Sequence, residues 1–301
     1  MKTGPYRAGL LLLALACLAP RLPAEPRLEQ RVLIDAAAAG RFSPAESTVS
    51  PSTEHGRAGK PAIHWHVTVD YFGGEAKYPI GWPRITYSPK DAAGRDWSGW
   101  DYLQLWVFTD TSREALPSEP AGLSLYTPDK EGAFHYNLAE LKKNEWVRVR
   151  IPLNQVPRHN DVRLIQFNIS EARYRHQDRL DFYIDDVVLL RYAEPAVLEF
   201  GPEGRVMFAD AKQVPVRFTV AGVPPGESRE VTCELRAGGR TLGSTTAGAT
   251  RGAHRALIDL HGQVLAGGDY ELVGRIAGSS EAVSAPLRLV DSPWGVPEAR
   301  P

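Results

Sequence analysis

The 301-residue chain is poor in cysteine, with two, and poor in methionine, with two, and it carries almost no net charge, 35 Lys and Arg against 36 Asp and Glu. Two thiols cannot build a disulfide-rich scaffold or a four-thiolate zinc site. A formal charge of −1 offers no basic footprint, which excludes a nucleic-acid partner. Long apolar runs are missing too. The longest, Leu10 to Ala19, falls well short of the about 20 residues a membrane-spanning helix needs. Helical periodicity is confined to one short segment, Leu138–Lys143. No phosphate-cradling glycine loop, no G-x-G-x-x-G between strand and helix and no G-x-S-x-G elbow occurs. Asp185 and Asp186 are adjacent, so on a strand they point to opposite faces and cannot flank one glycosidic bond. Glu114, Asp129, Glu131 and Glu171 fall in or near loops with no pairing logic. A non-catalytic protein is expected.

What is present begins with an export signal. Lys2 and Arg7 precede the apolar run, and Leu22-Pro23-Ala24 offers a small residue before Glu25. This is the pattern of a signal peptide over residues 1–24, and it predicts a periplasmic or extracellular protein. Lipid anchoring at Cys17, in Ala14-Leu15-Ala16-Cys17, is the alternative. Cleavage after Ala24 leaves 277 residues and removes Lys2, Arg7 and Arg21 but no acid, so the formal charge moves to −4. Cys233 then remains as the one thiol. It shares a strand face with Val231 and Leu235 and reads as a small buried filler.

The 27 Gly and 24 Pro suit many short strands joined by turns. Strand signals recur at 31–35, 62–69, 84–87, 102–108, 122–126, 133–137, 146–151, 163–169 and 181–190. Ala193-Glu194-Pro195 reads as a linker. Further strands follow at 197–200, 214–220, 230–236, 255–260, 268–277 and 285–290. The strand count predicts an all-β chain: a jelly-roll β-sandwich over 30–192, then a second, smaller immunoglobulin-like or fibronectin-like β-sandwich over 197–291, then a loose tail at 292–301.

Alternation within the first domain separates two kinds of face. Leu103, Leu105 and Val107 oppose Gln104, Trp106 and Phe108; Ile165, Phe167 and Ile169 oppose Gln166 and Asn168; Trp65, Val67 and Val69 oppose His64, His66 and Thr68. Leu123 and Leu125 oppose Ser124 and Tyr126, and His135 and Asn137 oppose Phe134 and Tyr136. The second face carries amides, imidazoles and aromatic rings. Rings stack on the apolar faces of sugars, and amides both donate to and accept from hydroxyls. This reading assembles His64, His66, Gln104, Trp106, Tyr126, His135, Gln166 and Asn168 into a groove for a glycan or polysaccharide. The alternative is a loop-covered polar-aromatic minor core. His64-x-His66 could also chelate a metal from one strand face.

Three segments resemble the galactose-binding-like jelly roll of carbohydrate-binding modules: Trp97-Ser98-Gly99-Trp100-Asp101-Tyr102-Leu103-Gln104-Leu105-Trp106-Val107, Asn144-Glu145-Trp146-Val147-Arg148-Val149-Arg150-Ile151-Pro152-Leu153, and Leu180-Asp181-Phe182-Tyr183-Ile184-Asp185-Asp186-Val187-Val188-Leu189. The resemblance implies non-catalytic sugar binding. It also implies a structural calcium held by Asp35 and by Asp185 or Asp186, oxygen ligands of the kind calcium takes. It places Trp97, Trp100 and Trp146 in structural roles, Trp146 on the core face. The same fold serves assembly roles and accompanies glycoside hydrolases, so a structural accessory with a cell-surface partner, or a module of a hydrolase system, stands beside glycan binding. Tyr71, Phe72, Tyr78 and Trp82 read as a binding loop or as padding over the sheet end, and Arg173, Tyr174, Arg175 and His176 as a solvated loop.

Overall fold

The computed structural model describes residues 27–73, 81–128, 134–204 and 206–293. The signal segment with Cys17, the aromatic Tyr78, the acids Asp129 and Glu131 and the tail from Trp294 lie outside the described residues. The described chain is all-β apart from short 3-10 turns and one four-residue helix, Ala92–Arg95. The strands of the first unit are β1 (Leu28–Ile34), β2 (Ser43–Ala45), β3 (Thr48–Ser52), β4 (Ala62–Thr68), β5 (Arg84–Tyr87), β6 (Tyr102–Thr111), β7 (Gly122–Tyr126), β8 (Phe134–Asn137), β9 (Trp146–Pro152), β10 (Leu164–Asn168) and β11 (Arg179–Tyr192). They form two sheets. The first runs β3-β4-β11-β6-β9 with β1 also on β11; the second runs β2-β5-β10-β7-β8.

Apolar alternation drives the two sheets together. Trp65, Val67, Leu103, Leu105, Val149, Ile151 and Phe182 point inward from the first sheet. Ile85, Leu123, Leu125, Ile165 and Phe167 meet them from the second. Trp65 stacks on Phe182 with ring centroids 4.8 Å apart. Trp97 is fully buried, and its indole N–H donates to Gly94 O at 2.8 Å.

β11 carries most of the first sheet. Its first half, Arg179–Ile184, pairs with β4, and its second half, Val187–Tyr192, pairs with β1. Between them the register shifts, and Asp186 adopts φ of 48°. This bulge absorbs one residue, so inward-facing Ile184 is followed in phase by inward-facing Val187 and Leu189.

Two expectations need correction. Residues 138–143 are not helical: Leu138 N donates to Ala121 O, and Lys143 bridges Thr109. The i, i+3 leucines are buried, but their main chain is claimed by neighbouring strands. Trp146 does not face the core. Val147 and Val149 pack on it, and Trp146 points outward against Phe108, with centroids 5.8 Å apart.

The second unit comprises β12 (Ala196–Pro202), β13 (Val206–Phe208), β14 (Gln213–Ala221), β15 (Arg229–Ala237), β16 (Arg240–Ala249), β17 (Gly252–Asp259), β18 (Gly268–Ile276) and β19 (Ala282–Val290). A three-stranded sheet, β12-β14-β17, packs on a five-stranded one, β13-β19-β18-β15-β16, in which β13 and β19 run parallel. Val214, Val216, Phe218, Ile258, Leu272 and Leu287 fill a core separate from the first. Cys233 lies in it with no exposed surface, and burial pushes its thiol up to about 11. A thiol so placed is inert filler.

The units meet around Asp101. Its carboxylate accepts from Tyr192 N at 2.9 Å and from Gly222 N at 3.2 Å, and Arg251 Nε lies 3.6 Å away. Arg251 also donates to Val223 O at 2.9 Å and to Ser98 O at 3.1 Å. Burial raises the Asp101 carboxyl above its usual range, against the pull of Arg251 and the two amides, and burial lowers the Arg251 guanidinium. Gly222 has φ of 70°, and a Cβ there would lie 2.2 Å from Glu194 O, so no other residue fits. Asp101→Ala strips both N–H groups of their acceptor and leaves Arg251, still bonded to Val223 O and Ser98 O, without its counter-charge. Each buried group left so costs about 1–3 kcal/mol. The variant is expected to melt several degrees lower and to show a larger radius of gyration in small-angle scattering; unchanged values in both would refute the clamp.

Candidate functional site

The eight residues expected to line one groove separate into two sets. His64 and His66 on β4 and Gln104 and Trp106 on β6 face outward from the first sheet. Tyr126 on β7, His135 on β8 and Gln166 and Asn168 on β10 face outward from the second. The apolar core lies between the sheets, so the sets occupy opposite sides of the sandwich and cannot contact one ligand. Alternation within a strand identifies face-sharing residues, but not the sheet a strand joins.

The first-sheet face is covered. The connection between β3 and β4 folds over it. His55 stacks on Phe108 with centroids 4.1 Å apart, and Tyr183 Oη donates to Glu54 Oε2 at 2.8 Å. The Arg57 guanidinium sits 3.9 Å from the Trp106 ring centroid and pairs with Asp186 at 2.6 Å. Arg150 donates twice to Gln104 Oε1, at 2.7 and 3.1 Å. Trp106 and Gln104 are therefore occupied by arginines of the same chain. Here the loop-covered alternative describes the molecule.

The second-sheet face is composed differently. In register across it stand Thr86, Gln166, Ser124 and His135, and beside them Arg84, Asn168, Gly122 and Asn137. Ser124 Oγ and His135 Nδ1 are 2.8 Å apart, and Gln166 Nε2 donates to Tyr126 Oη at 3.4 Å. The Tyr126 and His135 rings meet edge to face at 6.2 Å. At Gly122 a Cβ would come within 3.3 Å of the Asn168 amide, so the absence of a side chain lets that amide lie close over the glycine backbone. Arg84 lies over the Trp82 ring at 5.2 Å.

The root of the Tyr71–Trp82 connection is held by acids. Glu171, nearly inaccessible, accepts from Asp70 N and Gly81 N, each at 2.8 Å, and Glu46 accepts from Trp82 N at 2.6 Å. Burial raises the Glu171 carboxyl, with Glu46 and Asp70 adding to the rise and the two amides opposing it. Phe72 is 87% exposed. Tyr174 is not solvated as expected: it is buried, and its hydroxyl donates to Pro120 O at 2.5 Å.

The acids that the resemblance assigns to calcium come together. Asp35, Asp185 and Asp186 do line one pocket of about 310 Å³, together with Lys60. Asp186 is paired with Arg57, and Asp185 Oδ1 accepts from Asp186 N at 2.8 Å. Calcium takes six to eight oxygens. The three carboxylates share the pocket with Lys60, and Asp186 faces Arg57 beside it.

A larger cleft of about 590 Å³ lies at the junction of the units, lined by Trp100, Tyr102, Asn154, His159, Glu199 and Arg251 among others. No local pattern signals it, since it arises only from the packing of two separate units. Nor does any pattern signal Arg57, which is 49 positions from Trp106 in the chain yet lies on its ring.

No family model matches the chain, and no curated protein matches it. Solved structures do align with it. One is the glycoside hydrolase domain of Endo-D from Streptococcus pneumoniae R6, at 12% identity and a TM-score of 0.30, over 87% of this chain and 38% of that one. Another is CBM27-1 of Caldicellulosiruptor saccharolyticus, in complex with mannohexaose, at 14% identity and a TM-score of 0.31, over 52% of this chain and 96% of that one. A third is the CBM22-1–CBM22-2 tandem of Paenibacillus barcinonensis Xyn10C, at 7% identity and a TM-score of 0.32, over 83% and 91%. Likenesses this distant decide neither the ligand nor the role. Removing the cover from the first-sheet face should expose its indole: in Arg57→Ala, hydroxyl-radical footprinting at Trp106 is expected to rise, and an unchanged rate would show that Arg57 does not shield the ring.

Proposed function

We infer that the protein binds a glycan, without catalysis, through the outward face of the second sheet. The observation that carries this reading is the composition of that face in register: Gln166, Ser124 and His135 in one row, Asn168, Gly122 and Asn137 in the next, with Tyr126 at the end. His135 and Asn137 are exposed and Asn168 and Tyr126 half-buried, so their imidazole, amide and hydroxyl groups can meet sugar hydroxyls, while Ser124 and Gln166 are buried and hold His135 and Tyr126 in place. The half-buried Tyr126 ring offers an apolar surface on which a sugar face can stack. The uncharged character of most of these groups suits a neutral polysaccharide. On this reading the chain is exported, the signal peptide at 1–24 being removed, and the second sandwich acts as a spacer. Among the described residues no helix is long and apolar enough to cross a membrane.

A structural role suits the other side of the sandwich, where Arg57, His55 and Glu54 seal the aromatic face with the chain's own loop. The two readings separate experimentally. On an array of neutral plant and bacterial oligosaccharides the protein is expected to retain specific members. Tyr126→Ala and Asn168→Ala should each weaken that binding by about 1–3 kcal/mol, the cost of losing a contact anchor. Trp106→Ala should leave it unchanged. Absence of any retained glycan, or loss with Trp106→Ala and not with Asn168→Ala, would reject the assignment.

A further inference from the structure

The outward face of the first sheet holds one cluster that its aromatic cover does not explain. His64 and His66 lie two apart on β4 and so project from the same face. Asp181 on β11 stands directly opposite His66 in the antiparallel register, and Tyr183 stands opposite His64. One oxygen, Asp181 Oδ1, lies 2.7 Å from His64 Nε2 and 2.7 Å from His66 Nδ1. The three donor atoms all fall within 4.8 Å of one another, and among the described residues this is the one group of three or more His, Cys, Asp or Glu side chains that does so.

Each side chain is oriented from outside the cluster. The His64 ring stacks parallel on Tyr183, at 4.5 Å and 5°. His66 turns its other nitrogen, Nε2, toward Thr68 Oγ1 at 3.3 Å. A hydroxyl can accept a hydrogen bond from that N–H, which leaves the Nδ1 lone pair aimed into the cluster. Such a partner on the far nitrogen is the usual way a metal-ligating imidazole is fixed in tautomer and direction. Asp110, on β6, stands in register beside Asp181 and adds negative charge to the same face.

We propose that His64 Nε2, His66 Nδ1 and Asp181 Oδ1 form a site for a zinc-type divalent cation. Two imidazoles and one carboxylate are a donor set for zinc, with bonds of about 2.0–2.2 Å, and not for calcium, which takes oxygen alone. Four-coordinate geometry at those bond lengths sets neighbouring donors about 3.3 Å apart. The Asp181 contacts open to this by rotation of half-buried side chains, whose exposures are 22%, 34% and 26%. Their partial exposure leaves one coordination position to water or an exogenous ligand, as in open rather than closed zinc sites. The site pins β4 to β11 at the point where β11 still pairs with β4. It lies on the side of the sandwich away from the proposed glycan face, so the two assignments stand or fall separately.

Tag-free protein, stripped with chelator, is titrated with zinc chloride by calorimetry, and with cobalt(II) followed by visible absorption. One equivalent of saturable binding is expected. His64→Ala, His66→Ala and Asp181→Asn should each weaken it by at least about a hundredfold, since loss of an outer-shell partner alone costs 10–100-fold. His176→Ala, elsewhere on the surface, should bind as the parent does. A measurement that needs no variant guards against misfolding: mass-mapped acylation of His64 and His66 by diethyl pyrocarbonate, with and without zinc. Zinc protection of these two and not of His261 supports the site. Absence of saturable binding, affinity unchanged in the three variants, or acylation unaffected by zinc would overturn it.

Discussion

The first domain depends on β11 keeping its phase. This strand of 14 residues pairs with β4 over one half, with β1 over the other, and with β6 along its opposite edge. A strand without the bulge at Asp186 would turn Val187 and Leu189 outward, because a slip of one residue exchanges the two faces. The positive φ at Asp186 is therefore the local cost of a continuous core, offset by its pairing with Arg57. Everything on the outer face of that sheet inherits this phase: Asp181 meets the histidines, Tyr183 meets the loop over it, and Asp185 stands opposite Trp106.

The two outer faces answer the same problem in different ways. Both carry aromatic and polar side chains over a shared apolar core. On one, arginine cations and a returning loop occupy the rings. Arg57 over Trp106 is at once a cation–π contact and half of an ion pair, so a sugar would have to displace both. On the other, neutral groups hold one another with single hydrogen bonds, Ser124 with His135 and Gln166 with Tyr126. Composition alone makes the two faces look alike; their internal partners distinguish them.

The all-β architecture and the inward residues of most strands were readable from alternation, because burial on one side of a strand writes itself into every second position. Ile63 to Val67, Leu103 to Val107 and Ile165 to Phe167 show it plainly. β16 was not readable. Its run Arg-Thr-Leu-Gly-Ser-Thr-Thr-Ala-Gly-Ala carries little apolar alternation, since it is an edge strand with one neighbour and mostly exposed residues. Trp146 was misplaced because a large aromatic at a strand end looks like core, whereas an outer-face cluster claims it. The expected single groove failed for a further reason. Sheet membership depends on pairings between residues more than a hundred positions apart, such as His66 with Asp181, and no local pattern encodes them. Asp181 was visible as a residue, yet its meeting with both histidines follows only from that register.

The glycine at 222 has a consequence for the chain as a mechanical object. Because its backbone lies against Glu194 and donates to Asp101, the three-residue stretch between β11 and β12 is held from both sides and has no slack to give. The two sandwiches then act as one lever arm, not as beads on a string. The orientation of the first sandwich is then passed to the second by geometry, not by the statistics of a flexible tether.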